Sequence, residues 1–271
     1  MCDVLKIYRS SYYNVVNRKP TRRDIENLAL TDIIKRVFSE YKGRYGSKRI
    51  LRELRSREIY INHKRIERIM AENGLEAKYP CKRHGRYSKA YKASFHPNYL
   101  NCEFDVKEKN KVWVGDITYI PTKEGYEYLM VYLDLFSRKV VGWSINRHMR
   151  EQLAIEAIND AFNREDPGGG LMVHTDRGPQ FMSDRYNALI KRKGAFISMS
   201  RGGKPWDNAV VEAFNKSLKS ELVNKKHPFG TRDLARKEIF EYIEMFYNPK
   251  RLHSALGYKS PIEFERMHFN S

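Results

Sequence analysis

The sequence predicts an α/β fold with five strands, preceded by a small all-α region. Three observations carry this expectation. From residue 111 onward the hydrophobic periods run strand, strand, strand, then helix and strand in alternation. The first hundred residues show helical periods instead. Charge divides at nearly the same place: residues 1–98 hold 24 Lys and Arg against 10 Asp and Glu, net +14, while residues 99–271 hold 27 against 23, net +4. A basic front half joined to a nearly balanced rear half points to a polyanion-binding module attached to something else.

Composition narrows the class further. A chain of 271 residues is comfortable for two domains, and 41% hydrophobic residues suffice for a real core. No apolar run reaches membrane-spanning length. The start, Met1 to Lys6, lacks the basic segment and apolar block of a signal peptide. Cys2, Cys81 and Cys102 are widely spaced, which suits a reducing cytoplasm better than a disulfide framework.

Taken in order, the first elements are helices. Asp32–Lys42 repeats apolar residues at Ile33, Val37 and Tyr41. Ser47 is a candidate N-cap for 48–58, whose stripe is Ile50, Leu51 and Leu54. Asn62 is a candidate cap for 63–73, with Ile66, Ile69 and Met70 inward and Gly74 as the stop. The last two helices, joined by Ile59-Tyr60-Ile61, have the pattern of a helix-turn-helix. Lys64, Arg65 and Arg68 fall off the apolar stripe, where a recognition helix carries its DNA contacts; a bundle with a solvated basic face has the same pattern. From 76 to 109 the periods fade, and Arg83 and Arg86 lie among tyrosines in what reads as a linker able to follow a DNA backbone. Cys81, His84, His96 and Cys102 make no convincing zinc site, since Cys81 and His84 are closely spaced but no second pair accompanies them.

The strands follow: 111–121, 128–136 and 140–146, with connections short enough for antiparallel neighbours. A helix over 151–163 ends at the Asp166-Pro167-Gly168 break, and 171–175 and 195–199 are strands around a helix at 183–193. Helical patterns at 208–223 and 231–246 precede a tail over 247–264.

Three acidic residues lie in contrasting settings. Asp116 interrupts an apolar strand, Asp176 ends another, and Glu212 lies in a helix. An ionised carboxylate in such a strand is costly unless a positive group meets it, and three converging carboxylates repel one another. Divalent cations are the usual remedy, and oxygen-only ligands suit Mg²⁺ or Mn²⁺. On the helix, Val210, Phe214, Leu218 and Leu222 define a buried stripe, and Glu212 lies about 200° from Val210 on a helical wheel. Asn208, Asn215, Lys216 and Lys219 accompany it on the polar side, a face suited to a metal and a phosphate backbone, with Asn208, Lys216 and Lys219 as candidate DNA contacts.

The spacing and the surrounding words bring in a resemblance. Asp116 and Asp176 are separated by 59 residues, Asp176 and Glu212 by 35. The blocks WVGDITYI, YLDLFSRKVVGW, HTDRGPQF, SRGGKPWDNAVVEAFNKSLKSEL and YNPKRLHSALGYKSPIEF resemble, in order, those of the OrfB-type DDE transposases of the IS-three family of bacterial insertion sequences. These are relatives of the retroviral integrase core, and the resemblance covers nearly the whole chain.

It implies a ribonuclease-H-like core, a mixed five-stranded sheet with flanking helices, over 110–225. A helix-turn-helix-like DNA-binding region would occupy 1–75, a basic linker 76–109, and a C-terminal helix and tail packed on the core 226–271. The implied activity is metal-dependent cleavage and transfer of DNA strands at element ends, with Asp116, Asp176 and Glu212 holding two Mg²⁺ or Mn²⁺ ions. A nuclease of the same fold without joining activity, or a non-catalytic DNA-binding regulator, are the rival readings. Implied partners are terminal inverted repeats and target DNA, further copies of the chain, and an upstream-frame OrfA product or fusion, all in the cytoplasm at the nucleoid.

His174 and Gln180 flank Asp176, either as auxiliaries contacting DNA or protons or as structural hydrogen-bonding residues. Asp134 reads as a satisfied structural carboxylate. Arg251 and His253, in the tail, contact either DNA or the core.

Overall fold

The computed structural model describes residues 2, 8–17, 19–78, 95–223 and 228–269. The chain forms two compact units, residues 1–78 and 79–271. Arg83, Arg86 and the middle of the expected linker lie outside the described residues. Among the described residues no helix is long and apolar enough to cross a membrane.

The first unit is helical: α1 (Arg9–Val16), α2 (Arg22–Glu40), α3 (Ser47–Ser56) and α4 (His63–Glu72). Ile34, Val37, Ile50, Leu54, Ile66 and Ile69 form its core. Helix α2 starts ten residues before the expected Asp32. Thr21 caps it by accepting from the Asp24 backbone N–H, while the Asp24 carboxylate accepts from that of Thr21, a reciprocal box that satisfies two otherwise unpaired donors. Asn62 caps α4 as expected, accepting from the Lys64 N–H at 2.9 Å, and Gly74 turns the chain away with φ +62°. Ser47 corrects an expectation. Gly46 occupies the N-cap of α3, and Ser47 Oγ lies 3.0 Å from His63 Nε2. The hydroxyl therefore joins the starts of the two helices instead of capping one.

The second unit carries β1 (Val112–Thr122), β2 (Gly125–Asp134), β3 (Val140–Asn146), α5 (Glu151–Glu165), β4 (Met172–Thr175), α6 (Asp184–Arg192) and β5 (Phe196–Met199). Then come α7 (Ala209–Glu221), α8 (Arg232–Phe240) and α9 (Pro261–Phe269). The sheet order is β3-β2-β1-β4-β5. Strands β1, β2 and β3 pair antiparallel, whereas β4 runs parallel to both β1 and β5. This is the expected five-stranded mixed sheet.

The core lies between the sheet and helices α5 and α6, around Trp113, Tyr132, Val141, Ile158 and Tyr186. Helix α5 rests on β3 at Gly142, where a Cβ would fall 2.4 Å from Ala161 N and 2.5 Å from Ala157 O. Only glycine allows that approach, because the obstacle is backbone.

Several edges differ from the sequence reading. Residues 95–109, expected in the linker, pack on the core: Met199 N donates to Pro97 O at 3.1 Å and Tyr99 N to Ser198 Oγ at 2.9 Å. The helix beginning at 232 changes to a π-helix over Glu241–Tyr247. There Glu244 accepts from the Trp143 indole at 2.8 Å and from Arg164 at 2.6 Å. The tail ends in α9, whose Glu265 joins Glu165 between Lys109 and Lys139.

Candidate active site

Register brings the first two carboxylates together. Val112, Trp113 and Val114 of β1 lie opposite Met172, Val173 and His174 of the parallel β4. Carried two residues further, the same register places Asp176 alongside Asp116, across a spacing of about 4.8 Å between neighbouring strands. Below them Gly115 leaves room for a ring, since a Cβ there would lie 2.5 Å from Tyr132. Asp116 Oδ1 accepts from the Ile117 N–H at 2.9 Å. Asp176 Oδ1 accepts from the Gly178 N–H at 3.0 Å. Arg177, next to Asp176, donates to Ser200 O at 2.8 Å and stacks its guanidinium 4.2 Å from the Phe95 ring centroid.

Helix α7 brings the third. Asn208, at its N-terminus, donates to Gly115 O at 3.0 Å. Asn215 donates from Nδ2 to Asp116 Oδ2 at 2.8 Å. With Glu212, these positions follow the i, i+4, i+7 spacing that defines one helical face, so Glu212 stands on the face clamped to β1.

Electrostatics record the convergence. Burial, then the Asp176 charge and more weakly that of Glu212, push the Asp116 carboxyl up to about 7, against the hydrogen bonds from Ile117 and Asn215. Burial raises Asp176. Burial also raises Glu212, opposed by Lys216 at 4.0 Å. Among the described residues, no three His, Cys, Asp or Glu side chains are gathered at ion-binding spacing. The donor chemistry fits hard divalent cations; Asp116 and Asp176 lie side by side by register, and Glu212 is half-buried in the first turn of α7.

This has a pH signature in metal-free protein. A carboxyl raised in the folded state stabilises the fold fully below its unfolded value near 3.8, and that contribution is lost as pH rises through about 7. Asp116→Asn protein in EDTA is therefore expected to gain on wild type between pH 4 and 7. At pH 8 the advantage should reach about 2–4 kcal/mol, using about 1.4 kcal/mol per unit and allowing for water reaching the side chain. His174 and Asp134, common to both proteins, cancel in the difference. Urea unfolding at several pH values measures it, and parallel curves for the two proteins would refute it.

Other expected site residues sort by environment. His174 is fully buried, with Nδ1 2.9 Å from Ser198 Oγ and Nε2 3.0 Å from Ser200 Oγ. Burial lowers it to about 4, so of its two readings the structural one holds. Gln180 is likewise buried and donates to Met149 O at 2.8 Å. Asp134 accepts from the backbone N–H groups of Asn110 and Ser137 and the Ser137 hydroxyl, each at 3.0 Å, as expected of a structural carboxylate.

The expected DNA contacts lie in differing environments. Asn208 is buried against β1, its amide donating to Gly115 O. Arg65 is half-buried and braces α4 against α2, donating to Asn27 Oδ1 at 2.9 Å and lying 3.5 Å from Glu26. Lys64 and Arg68 are exposed, Arg68 lying 3.6 Å from Glu72. Lys216 is exposed and Lys219 partly so.

The buried stripe of α7 is also rotated. It comprises Val211, Phe214, Asn215, Leu218 and Glu221, while Val210 and Leu222 are only half-buried. Polar partners cause the shift, Asp116 for Asn215 and Arg251 for Glu221. Arg251 is buried, donates to both Glu221 oxygens at 2.6–3.1 Å and reaches Ser217 Oγ at 3.0 Å. Tyr242 donates to the same carboxylate at 2.8 Å. The tail arginine thus contacts the core, and Glu221 is a key residue that sequence periodicity passed over.

Comparisons with known proteins agree with this architecture. Residues 25–83 match a family model described as an HTH-like domain, and residues 106–205 and 193–261 match two models each described as an integrase core domain. A transposase of insertion sequence element IS904 from Lactococcus lactis is 46% identical over 93% of this chain and 99% of its own length. Transposase InsF of insertion sequence IS3A from Escherichia coli is 38% identical over 98% of this chain and 92% of its own. Among solved structures, the HTLV-2 integrase catalytic core domain in complex with magnesium covers 58% of this chain and 96% of its own, with 20% identity and a TM-score of 0.38.

Proposed function

The chain belongs to the insertion-sequence transposases related to IS904 and IS3, and on that premise we propose that Asp116, Asp176 and Glu212 are its catalytic carboxylates. The enzyme is a polynucleotidyl transferase with an integrase core, acting in DNA transposition. One observation carries the assignment of the site: Asp116 and Asp176 end up side by side by strand register, and α7 is clamped to Asp116 by Asn215, one turn beyond Glu212.

The three side chains would hold Mg²⁺, or Mn²⁺ in its place, as a two-ion site. A divalent ion held there would supply charge neutralisation and Lewis-acid activation for an in-line displacement at phosphorus. The protein's part is to hold the ligands. Asn215 and the Ile117 N–H fix one oxygen each of Asp116, and the Gly178 N–H fixes Asp176. Glu212 would complete the set from the clamped face of α7. No nucleophilic side chain is needed, so one site serves both cutting by water and joining by a 3′-hydroxyl.

In this proposal residues 1–75 grip DNA through the exposed cations of α4, the linker stops short of 95, 95–225 form the catalytic core and 226–271 brace α7. The substrates are terminal inverted repeats and target DNA at the nucleoid. Assembly occurs with further copies and with an upstream-frame product.

The test incubates the full chain with duplexes carrying the element's ends. Mg²⁺ or Mn²⁺ should support cutting at the end and joining of the new 3′-hydroxyl to a second duplex, and EDTA should stop both. Cutting without joining would make the protein a nuclease. Undiminished activity in EDTA would eliminate the metal mechanism.

A further inference from the structure

The loop between β5 and α7 is latched at its ends. Asp207, fully buried, accepts from Arg201 through its backbone N–H at 2.8 Å, Nε at 2.9 Å and Nη2 at 2.8 Å. Asn98 Nδ2 donates to the same carboxylate at 2.9 Å, and Cys102 Sγ does so at 3.3 Å. A carboxylate held by a bidentate guanidinium and two further donors fixes loop geometry more firmly than an exposed ion pair.

Beside that latch stands Trp206, 50% exposed. The other two tryptophans have evident structural roles: Trp113 is fully buried in the core, and Trp143 donates its indole N–H to Glu244. Trp206 instead shows its ring to solvent from the residue preceding the buried Asp207, on the segment that leads into α7 and Glu212. Lys204 Nζ lies 4.8 Å from the ring centroid, over one face. A large flat apolar surface, left open on a latched backbone, contributes little to folding. Its chemistry suits a flat, π-faced ligand joined to a negative charge.

We propose that Trp206 is a stacking platform for an unpaired nucleobase beside the phosphodiester being cut, with Lys204 covering the opposite ring face and its charge turned to the neighbouring phosphate. Where base pairs beside the reacting strand open, an aromatic face that holds the unpaired base offsets the cost of unstacking it. The latch keeps the ring in place, so little order has to be imposed on binding. This inference rests on the assignment of the reacting centre to Asp116, Asp176 and Glu212.

The experiment compares full-chain wild type, Trp206→Phe and Trp206→Ala on end-sequence duplexes that are either fully paired or mismatched at the base pairs flanking the cut. On paired ends Trp206→Ala should cut about 5- to 150-fold more slowly, the range given by loss of one base–aromatic stack. Trp206→Phe should retain most of the rate. Mismatched ends should restore Trp206→Ala to within a few fold of wild type. Indole emission, read with Ca²⁺ in place of Mg²⁺, should be quenched by mismatched duplex in wild type and not in Trp206→Phe.

Equal quenching in Trp206→Phe, or a loss in Trp206→Ala that mismatches do not repair, would overturn the proposal. The two assignments fail separately. Quenching confined to Trp206 in a protein that cuts no duplex would sink the reacting centre and leave the stacking role standing.

Discussion

Asp116→Asn, Asp176→Asn and Glu212→Gln proteins are each expected to cut and join DNA about a thousandfold more slowly or worse, while still folding and binding duplex. Several kcal/mol of metal-based stabilisation correspond to that factor, at about 1.4 kcal/mol per tenfold. The substitutions keep size and remove charge, so packing is preserved. They should differ in one respect. Asp116 and Asp176 are fixed by strand register and by backbone donors, so their amide variants should be silent at any metal concentration. Glu212 is half-buried at the edge of the site, and its variant should recover partly in excess Mn²⁺. Strand-transfer assays at graded metal concentration read this, and a variant with undiminished rate would leave the site.

Removing Arg251 is expected to cost about 3–5 kcal/mol of folding stability, since Arg251→Met leaves the buried Glu221 carboxylate without its main partner. The pair itself contributes much less than that figure. Replacing both residues, Glu221→Leu with Arg251→Met, should restore most of the loss, because an apolar pair of similar volume avoids desolvating two charges. Urea unfolding of the two single variants and the double gives the coupling directly. Additive losses would show that Arg251 stabilises the protein by packing alone, against Tyr247 and its neighbours.

What was legible in the sequence was local. Alternation and continuous apolar runs located five strands within two or three residues, because strand periods are set by burial on the sheet faces. Asp116, Asp176 and Glu212 were marked by their settings and by the surrounding words. The capping box before α2 was also readable, as a Thr followed three residues later by Asp, and it was passed over for the apolar period that begins later.

What escaped was long-range and polar. Asn215 bonds a residue 99 positions away and Arg251 one 30 positions away. Neither partner can be read from a helical wheel that assumes only apolar groups turn inward. The same assumption hides the hydrogen bonds of Asn208 to β1 and of Arg65 to α2. The π-helix at 241–247 leaves no local signal of its own; it accompanies Glu244 being drawn to Trp143 and Arg164.

The pairing of Glu221 with Arg251 also sets an order on assembly. A nascent chain emerges from its N-terminal end and folds by units as they are completed. Residues 1–78 hold all their own core and can close early. Helix α7 cannot settle in the same way: until Arg251 has emerged, burying Glu221 means burying a bare negative charge. A ribosome that stalls between the two leaves a protein whose helical region is finished and whose cutting machinery is not.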